Sequence, residues 1–567
     1  LELAATRVPA LGVAELAARL RVPHDRFGLL GSGPRDAPAR QRTLAAVIDW
    51  SWRLLGEQER VVLRRLAVHS GGCTLAAAQA VGGSEAVVLD LVDRSLVVRT
   101  DGPRFRLLES VSAYCLDRLR EAGEEQEARL RHAEYYLELA ERAESQLRGP
   151  GQREWLRVLD AESANLRAAL DTLRRTGSDG AGLRLVEALV WYWILRGRLT
   201  EARRALAATG GGSGRAAAWE AGLAMRQGLA GPERIEQVLR GHDDPRARWF
   251  LANASIDFGD VAATGALLES ALEEFRATGD RWGEAAALST RAMLAHMRDD
   301  PDALEHDARR SAELFGELGD EWGVLQATDW LIGHADMIGD HASAMRLSRD
   351  GLRIAEELGL WSDVAGRLGW LAWISVQIAD YAAALDHAQR AKRLAAEQGV
   401  RAVEVFATIG LAFAARRDGR RDLAEEHLRW LLSTARAQTG GEGHPPYLPM
   451  VLTELGLLAA QRGDSAGALD LHREAFEVNR DQASPRGMAW ALACLGDALT
   501  LGGRGSVAAQ LLGAADAAWR KSGLSLSTSD STELARITAA VEAAEPAFAD
   551  HFARGAQLTP DEAYALL

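Results

Sequence analysis

The sequence is poor in cysteine. Among its 567 residues only three are cysteines, Cys73, Cys115 and Cys494. They stand too far apart along the chain to form a local metal-binding motif, and an odd number cannot pair completely. We therefore expect no metal site built on cysteine, and we expect a reducing, cytoplasmic compartment.

Lysine is rarer still: the sequence contains two lysines, Lys392 and Lys521. A phosphate-cradling P-loop needs a lysine that follows a glycine-rich turn and reaches the phosphates. Lys392 stands in the run Ala-Lys-Arg, and Lys521 follows Trp-Arg with no glycine in register. The sequence thus excludes a nucleotide-hydrolysing site of this type within these residues.

Other sequence signals of catalysis and of membrane or nucleic-acid binding are missing too. No His-Glu-x-x-His, Cys-x-x-Cys or Gly-x-Ser-x-Gly occurs, so we expect no catalytic and no metal-binding residues, and predict that the chain is not an enzyme. The most apolar stretches, Leu368–Ala379 and Val405–Ala415, are shorter than the ~20 residues of a membrane helix. The formal net charge of −14 opposes contact with nucleic acids or anionic membranes.

Residues 41–122 follow the element order of a winged helix. Two amphipathic helices come first, and Thr74 and Ser84 are then placed to cap two short helices. The turn Asp101–Pro103 separates two strands over Leu96–Thr100 and Arg104–Leu108. A further helix follows, so this region predicts a winged helix with a two-stranded wing.

A winged helix is a common DNA-binding module, but the charges here oppose that use. The helix in the recognition position, Ser84–Arg94, carries three acidic residues against Arg94 alone. Since phosphate contacts supply most DNA affinity, this helix would be repelled. Three wing arginines offset the repulsion in part: Arg99, Arg104 and Arg106. We predict a structural or regulatory module, with DNA binding as an alternative.

From about residue 180 onward, helical segments alternate with short turns at a fixed interval. The turn recurs every 40 residues, and once after 44. It is marked by Asp260, Asp300, Asp340, Asp380, Gly419-Arg420, Asp464 and Arg504. The longer interval coincides with the glycine- and proline-rich residues 440–446, which predict an inserted loop. A single helix pair cannot bury its own apolar face, so the units must stack into a superhelix.

These patterns predict an all-α fold class: a TPR-like helical-repeat solenoid preceded by a winged-helix domain with a small β-hairpin. The predicted divisions are a helical start over 1–40, the winged helix over 41–122, connecting helices over 123–178, TPR-like repeats of about 40 residues over 179–521, and C-terminal capping helices over 522–567.

A candidate groove follows from the repeat register. In TPR-like stacks the first helix of each pair lines the concave face. If the small residue after each turn is taken as the second-helix alanine of such stacks, groove-facing positions can be counted back along the preceding helix. The count gives His296, Met297, Gln326, Asp329, Asp336, Met337, Trp373, Gln377, Phe406, Phe413, Arg416 and Arg417. This mixture of aromatic, methionine and polar side chains suits a ligand or partner site. Arg416 and Arg417 could clamp an anionic group and Trp373 could stack on a flat or sugar-like one; alternatively, the aromatic residues pack between helices.

Several runs resemble bacterial STAND-type regulatory ATPases, the large regulators related to the SARP and LuxR families that carry TPR repeats. The matching runs are Arg42–Ser51, Arg104–Ser110, Glu162-x-x-Asn165 through Leu170, Gln510–Ala515 and Leu558–Ala563. The likeness covers essentially the whole chain, and its motifs are structural.

The resemblance implies an NTPase core with ATP or ADP upstream of Leu1, of whose helical subdomain residues 1–40 would be the tail; no cofactor is expected within these residues. Related NB-ARC proteins sense nucleotide through a Met-His-Asp motif, and the matching positions here are Leu107–Glu109, which lack the histidine. Some relatives also carry a LuxR-type helix-turn-helix after the repeats, and none is visible here.

These observations favour the sensor region of a cytoplasmic STAND-type signalling protein, a transcriptional regulator. Its repeats would bind an inducer or protein partner, the winged helix would relay this, and an upstream NTPase domain would change its oligomeric state. The alternatives are a stand-alone TPR-like scaffold that only binds proteins, and a DNA-binding protein acting through the winged helix.

Overall fold

The structure, a computed structural model, describes residue 12 and residues 44–100, 102–210, 214–241, 243–256, 261–438, 444–522 and 526–567. The expectations for residues 1–40, for Asp101 and Asp260 and for glycines 440, 441 and 443 lie outside these residues. The chain divides into two compact units, one comprising Leu1–Glu144 with Arg157–Ala188 and the other Ser145–Leu156 with Leu189–Leu567. The domain boundaries drawn from the sequence remain predictions.

The first unit begins with the winged helix. Its elements are α1 (Leu44–Arg53), α2 (Glu57–Leu66), β1 (Cys73–Thr74), α3 (Leu75–Ala80), α4 (Glu85–Asp93), β2 (Val97–Arg99), β3 (Arg104–Leu107) and α5 (Glu109–Glu121). Thr74 and Ser84 cap α3 and α4 by accepting the backbone N–H of Ala77 and Val87, as the sequence predicts. Helices α6 (Glu125–Gln146) and α7 (Gln152–Arg175) follow.

The predicted two-stranded hairpin is present as β2 and β3, and a third strand, β1, pairs with β3. All pairs are antiparallel in the order β1-β3-β2, with Cys73 opposite Phe105 and Val98 opposite Arg106. The sequence did not predict β1, because this strand is only two residues long and shows no alternation of its own.

A buried polar network fixes the wing to α7 and explains one of the family-like runs. Asn165, fully buried, accepts the backbone N–H of Ser70 at 2.7 Å and donates to the carbonyl of Gly72 at 2.9 Å. Glu162 accepts from Asn165 and forms an ion pair with Arg104. A buried carboxylate and amide are stable here because each has its partners. Because Arg104 pairs with Glu162, its positive charge does not offset the negative charge of α4.

The second unit consists of helices throughout its described residues. The first are α8 (Asp179–Leu195, which starts in the first unit), α9 (Leu199–Ala208), α10 (Gly214–Arg226), α11 (Arg234–Gly241), α12 (Pro245–Ser255) and α13 (Val261–Thr278). The regular pairs follow as α14 (Arg281–Met297), α15 (Pro301–Leu318), α16 (Glu321–Met337), α17 (His341–Leu358), α18 (Trp361–Gln377), α19 (Tyr381–Gln398), α20 (Arg401–Arg417) and α21 (Arg421–Gln438). The last are α22 (Leu448–Gln461), α23 (Ser465–Asp481), α24 (Pro485–Leu501), α25 (Gly505–Ser522), α26 (Thr528–Ala544), α27 (Phe548–Gly555) and α28 (Pro560–Tyr564).

The recurrent aspartates set the register of the pairs. Asp300, Asp340 and Asp380 each accept the backbone N–H three residues ahead, at 3.0, 3.0 and 3.2 Å, and so cap the second helix of a pair. Glycines such as Gly319 and Gly359 end these helices in the left-handed conformation, with φ of 71° and 66°. The start of the second helix therefore recurs at intervals of 40 residues, from Pro301 to Arg421.

Small residues allow the helices to approach closely. Ala344, Ala384 and Ala424, four residues after the turn, are fully buried. Gly323 lies against the ring of Phe315, where a Cβ atom would come within 2.2 Å of a ring carbon. The predicted fold class, TPR-like helical repeats after a winged helix, is confirmed. None of the described helices is long and apolar enough to cross a membrane.

Candidate functional site

The first helices of successive pairs surround a cavity inside the second unit. The cavity has a volume of about 380 Å³ and receives side chains from α14, α16, α18, α20, α22 and α24. This size lies within the usual range of small-molecule sites, about 300–1,000 Å³. We call it the repeat cavity.

The structure brings most of the twelve candidate residues around this cavity. The nine that line it are His296, Met297, Asp336, Met337, Trp373, Gln377, Phe406, Phe413 and Arg417. The other three, Gln326, Asp329 and Arg416, do not. The placement of these nine agrees with the count along the first helices, and their role in binding remains a prediction.

Asp336 and Trp373 form the polar centre of the repeat cavity. The indole Nε1 of Trp373 donates to Asp336 Oδ2 at 2.9 Å, and the indole packs against Phe413 with ring centroids 5.7 Å apart. Asp336 is 8% exposed, and its Oδ1 has no hydrogen-bond partner. The carboxylate thus fixes the orientation of the indole through its edge.

His296 lies beside this pair among aromatic rings. Its imidazole centroid is 6.0 Å from that of Trp330 and 6.4 Å from that of Trp370. Burial lowers the pKa of His296 below its usual value, although the nearby Asp336 and Asp299 carboxylates act to raise it. The imidazole is therefore neutral at pH 7 and contributes no positive charge to the cavity.

Arg416 does not face the repeat cavity, which corrects one expectation from the sequence. Its side chain is 1% exposed and forms ion pairs with Glu454 and Glu533. Although burial acts to lower it, the pair with Glu454 raises the pKa of Arg416. Arg417 reaches the cavity but also pairs with Glu454, and its Nη2 lies 3.1 Å from Asp530. Two arginines that already hold carboxylates do not form an anion clamp.

Gln326 and Asp329 take part in a neighbouring polar cluster. Gln326 Nε2 donates to Asp363 at 2.7 Å, and Asp329 lies 2.7 Å from the buried guanidinium of Arg367. Burial and the Asp329 carboxylate raise the pKa of Asp363 to about 7. Asp329 lines a second cavity of about 370 Å³, which also contacts His296. The sequence count placed these residues correctly on the first helix but could not show their partners.

The sequence missed the wall of the repeat cavity contributed by residues after 440. Tyr447, Met450 and Thr453 lie on or before α22, and Trp490 lies on α24. The count stopped at residue 417 because the interval of 44 residues breaks the register. The aromatic and methionine residues after the break were the signal that could have extended it.

The segment that joins α6 to α7 packs on the repeats. This docking segment, Ser145–Leu156, belongs to the second unit, although the chain on both sides of it belongs to the first. Gln152 donates to Asp320 at 2.8 Å and accepts the backbone N–H of Trp322 at 2.9 Å. Arg153 reaches Glu321 at 2.9 Å. The segment therefore holds the start of α16, one of the helices that line the repeat cavity.

Tryptophans form the surface on which the docking segment lies. Trp191 is 1% exposed, and its ring centroid is 4.9 Å from that of Trp322 and 5.4 Å from that of Trp282, both edge-on. The guanidinium of Arg148 lies 4.8 Å from the Trp191 ring centroid, at cation–π distance. Trp282 and Trp322 are thus buried between helices, whereas Trp361 is 47% exposed.

The fold and the cavity define the class: a winged-helix protein with TPR-like helical repeats that enclose a candidate binding cavity. No family model matches the chain. A Mycobacterium tuberculosis protein, provisionally named an HTH-type transcriptional regulator, is 40% identical over 215 residues, which are 35% of this chain and 24% of that protein. A Mycobacterium bovis protein of the same provisional class gives the same values. An uncharacterized Mycobacterium tuberculosis protein is 38% identical over 136 residues, 22% of this chain and 34% of that protein.

The chain spans about a quarter of the length of the first of these relatives. These matches confirm the resemblance seen in the sequence, at the level of a shared segment with proteins that are named as regulators. The chain is thus a helical-repeat protein that is similar, over part of its length, to proteins provisionally named transcriptional regulators.

Solved structures with helical repeats are similar to this chain at a lower sequence identity than the mycobacterial relatives. A STAND protein with a tetratricopeptide-repeat sensor from Pyrococcus horikoshii has a TM-score of 0.33 and 14% identity, over 90% of this chain and 70% of that one. A Rap protein complexed with Competence and Sporulation Factor has a TM-score of 0.39 and 13% identity, over 58% and 99%. TM-scores below 0.5 do not by themselves establish a shared fold.

Proposed function

We propose that the chain is the sensor region of a STAND-type transcriptional regulator, and that the repeat cavity binds an inducer or a protein partner. One observation carries the proposal: a cavity lined by aromatic and methionine side chains holds a buried carboxylate with an unpartnered oxygen, Asp336 Oδ1. An unsatisfied buried polar group costs free energy, and a ligand that supplies the missing partner recovers that free energy. The provisional name of the mycobacterial relatives supports the regulatory role.

The docking segment supplies a route for the signal. It contacts α16, whose last turn carries Asp336 and Met337, and covalent continuity joins it to α6 and α7. A ligand that shifts α16 relative to its neighbours changes the contacts of Gln152 with Asp320 and Trp322. In the proposed mechanism this change passes to the winged helix and then to an upstream NTPase domain with ATP or ADP, which alters the oligomeric state. The chain itself acts by binding and not by catalysis.

A cavity-filling variant tests the proposed site. Met450 lines the repeat cavity and is only partly buried, so Met450→Trp adds an indole to the cavity with little strain. A metabolite library is first screened for compounds that raise the thermal unfolding midpoint of the unaltered chain. We expect these compounds to leave the midpoint of Met450→Trp unchanged. Ligand at a hundred times its Kd stabilises by about 2.7 kcal/mol, which a thermal-shift assay detects readily.

The matched control is Leu501→Trp, which adds the same bulk at a half-exposed position of α24. It should keep the response of the unaltered chain. Stabilisation that persists in Met450→Trp would contradict the proposal. If instead only proteins bind and Met450→Trp leaves their affinity unchanged, the stand-alone scaffold is the better account.

A further inference from the structure

Asp336 is a carboxylate of the repeat cavity that pairs with no arginine or lysine among the described residues. Its Oδ2 is fixed by the Trp373 indole at 2.9 Å, while its Oδ1 has no hydrogen-bond partner. The ring Nδ1 of His341 lies 3.5 Å from Oδ1, at ion-pair distance if the ring is protonated but without hydrogen-bond geometry. Within the described residues, no arginine or lysine forms an ion pair with Asp336. A carboxylate that is only 8% exposed is stabilised by a nearby cation.

The other charges that line the cavity have partners or offset one another. Glu454 and Asp530 both pair with Arg417. Asp299 accepts the hydroxyl of Ser484 at 2.8 Å and faces the same cavity as Arg486, of opposite charge. Asp336 therefore sets the sign of the charge that the cavity can accept.

The surroundings of Asp336 favour a cation with an apolar body. The rings of Trp370, Trp373, Phe406 and Phe413 line the same cavity, and aromatic faces attract ammonium groups. His296, which also lines the cavity, has an unpartnered Nδ1, and a neutral imidazole can accept a hydrogen bond from an ammonium N–H on one nitrogen.

We infer that the repeat cavity binds a small organic cation, with its ammonium group on Asp336 and an aromatic or branched apolar body among the surrounding rings. This inference rests on the proposed function and names the chemical class of its ligand. A volume of about 380 Å³ fits a small amine and leaves little room for a folded partner.

The test compares three probes of nearly equal shape and different charge: phenethylammonium, phenethyl alcohol and phenylacetate. Isothermal titration calorimetry with the unaltered 567-residue chain should show the ammonium binding with one-to-one stoichiometry. Its affinity should be at least about tenfold higher than that of the alcohol, with no binding of the carboxylate. Equal or tighter binding of the alcohol or the carboxylate, or no heat from the ammonium at millimolar concentration, would overturn the inference.

Asp336→Asn supplies the second arm, because it removes the charge and keeps an oxygen that can accept from Trp373. This substitution should lower the affinity for phenethylammonium at least about tenfold and leave the affinity for phenethyl alcohol unchanged. Asp350 is an exposed acid on α17, and Asp350→Asn should change neither of the two affinities. If Asp336→Asn fails to fold, the three-probe series on the unaltered chain still decides.

The two failures are distinguishable. If neutral or anionic ligands bind the unaltered chain and fail to bind Met450→Trp, the proposed function stands. The inference that the ligand is a cation is then overturned. A lysine-containing peptide that binds where phenethylammonium does not would also overturn the small organic cation.

Discussion

Replacing Gly513 with alanine is expected to destabilise the C-terminal end of the repeats by about 3 kcal/mol. Gly513 lies in the middle of α25, where α27 crosses it at backbone distance. A Cβ atom at Gly513 would lie 2.1 Å from the carbonyl oxygen of Phe552, and one at Gly555 would lie 1.9 Å from that of Gln510. No flexible side chain can give way at either point, so the two helices must part.

The matched control is Gly366→Ala in α18, where no atom lies within 4 Å of the added Cβ. Since glycine costs about 0.5–1 kcal/mol in a helix interior, this variant should be slightly more stable than the unaltered chain. Thermal unfolding measures the shift of the midpoint in both variants. Hydrogen exchange of the α27 amides shows whether the destabilisation in Gly513→Ala lies at the crossing of α25 and α27. An unchanged midpoint and protected α27 amides in Gly513→Ala would refute the close crossing.

Arg416→Met should have the second large effect, a loss of about 3–5 kcal/mol in the free energy of unfolding. It leaves Glu454, whose side chain is 2% exposed, with Arg417 as its remaining cation. Removing one member of a buried ion pair leaves a desolvated charge, which is far more costly than the pair itself. Denaturant titration followed by circular dichroism measures the loss.

The double variant Arg416→Met with Glu454→Leu should recover most of that stability, because it removes both charges and Arg417 keeps Asp530. The exposed pair of Arg309 and Glu305 provides the control, since Arg309→Met should cost only a small fraction of the loss. A double variant no more stable than Arg416→Met would show that Glu454 is not left uncompensated.

The sequence predicted the repeat architecture well because its signals are local. Aspartates such as Asp300 cap helices through their own next turn, and glycines such as Gly319 end them, so the 40-residue register can be seen without knowing any distant contact. Groove positions such as Asp336 and Trp373 followed from that register.

What the sequence could not supply were partners distant along the chain. Arg416 was assigned to the groove because its partners, Glu454 and Glu533, lie 38 and 117 residues away. Asn165 was seen only as part of a family-like run, because its contacts with Ser70 and Gly72 span more than 90 residues. The wing strand β1 escaped notice for the same reason, since pairing with β3 alone defines it.

Fluorine NMR of the chain labelled with fluorotryptophan tests the central claim, that ligands bind in the repeat cavity and act on the docking segment. Resonances are assigned with single Trp→Phe variants. Compounds that raise the unfolding midpoint should shift the resonance of Trp373, which lines the cavity, and that of Trp191, which contacts Arg148. The exposed Trp361 should not move. Binding that shifts Trp361 while leaving Trp373 and Trp191 in place would contradict the account.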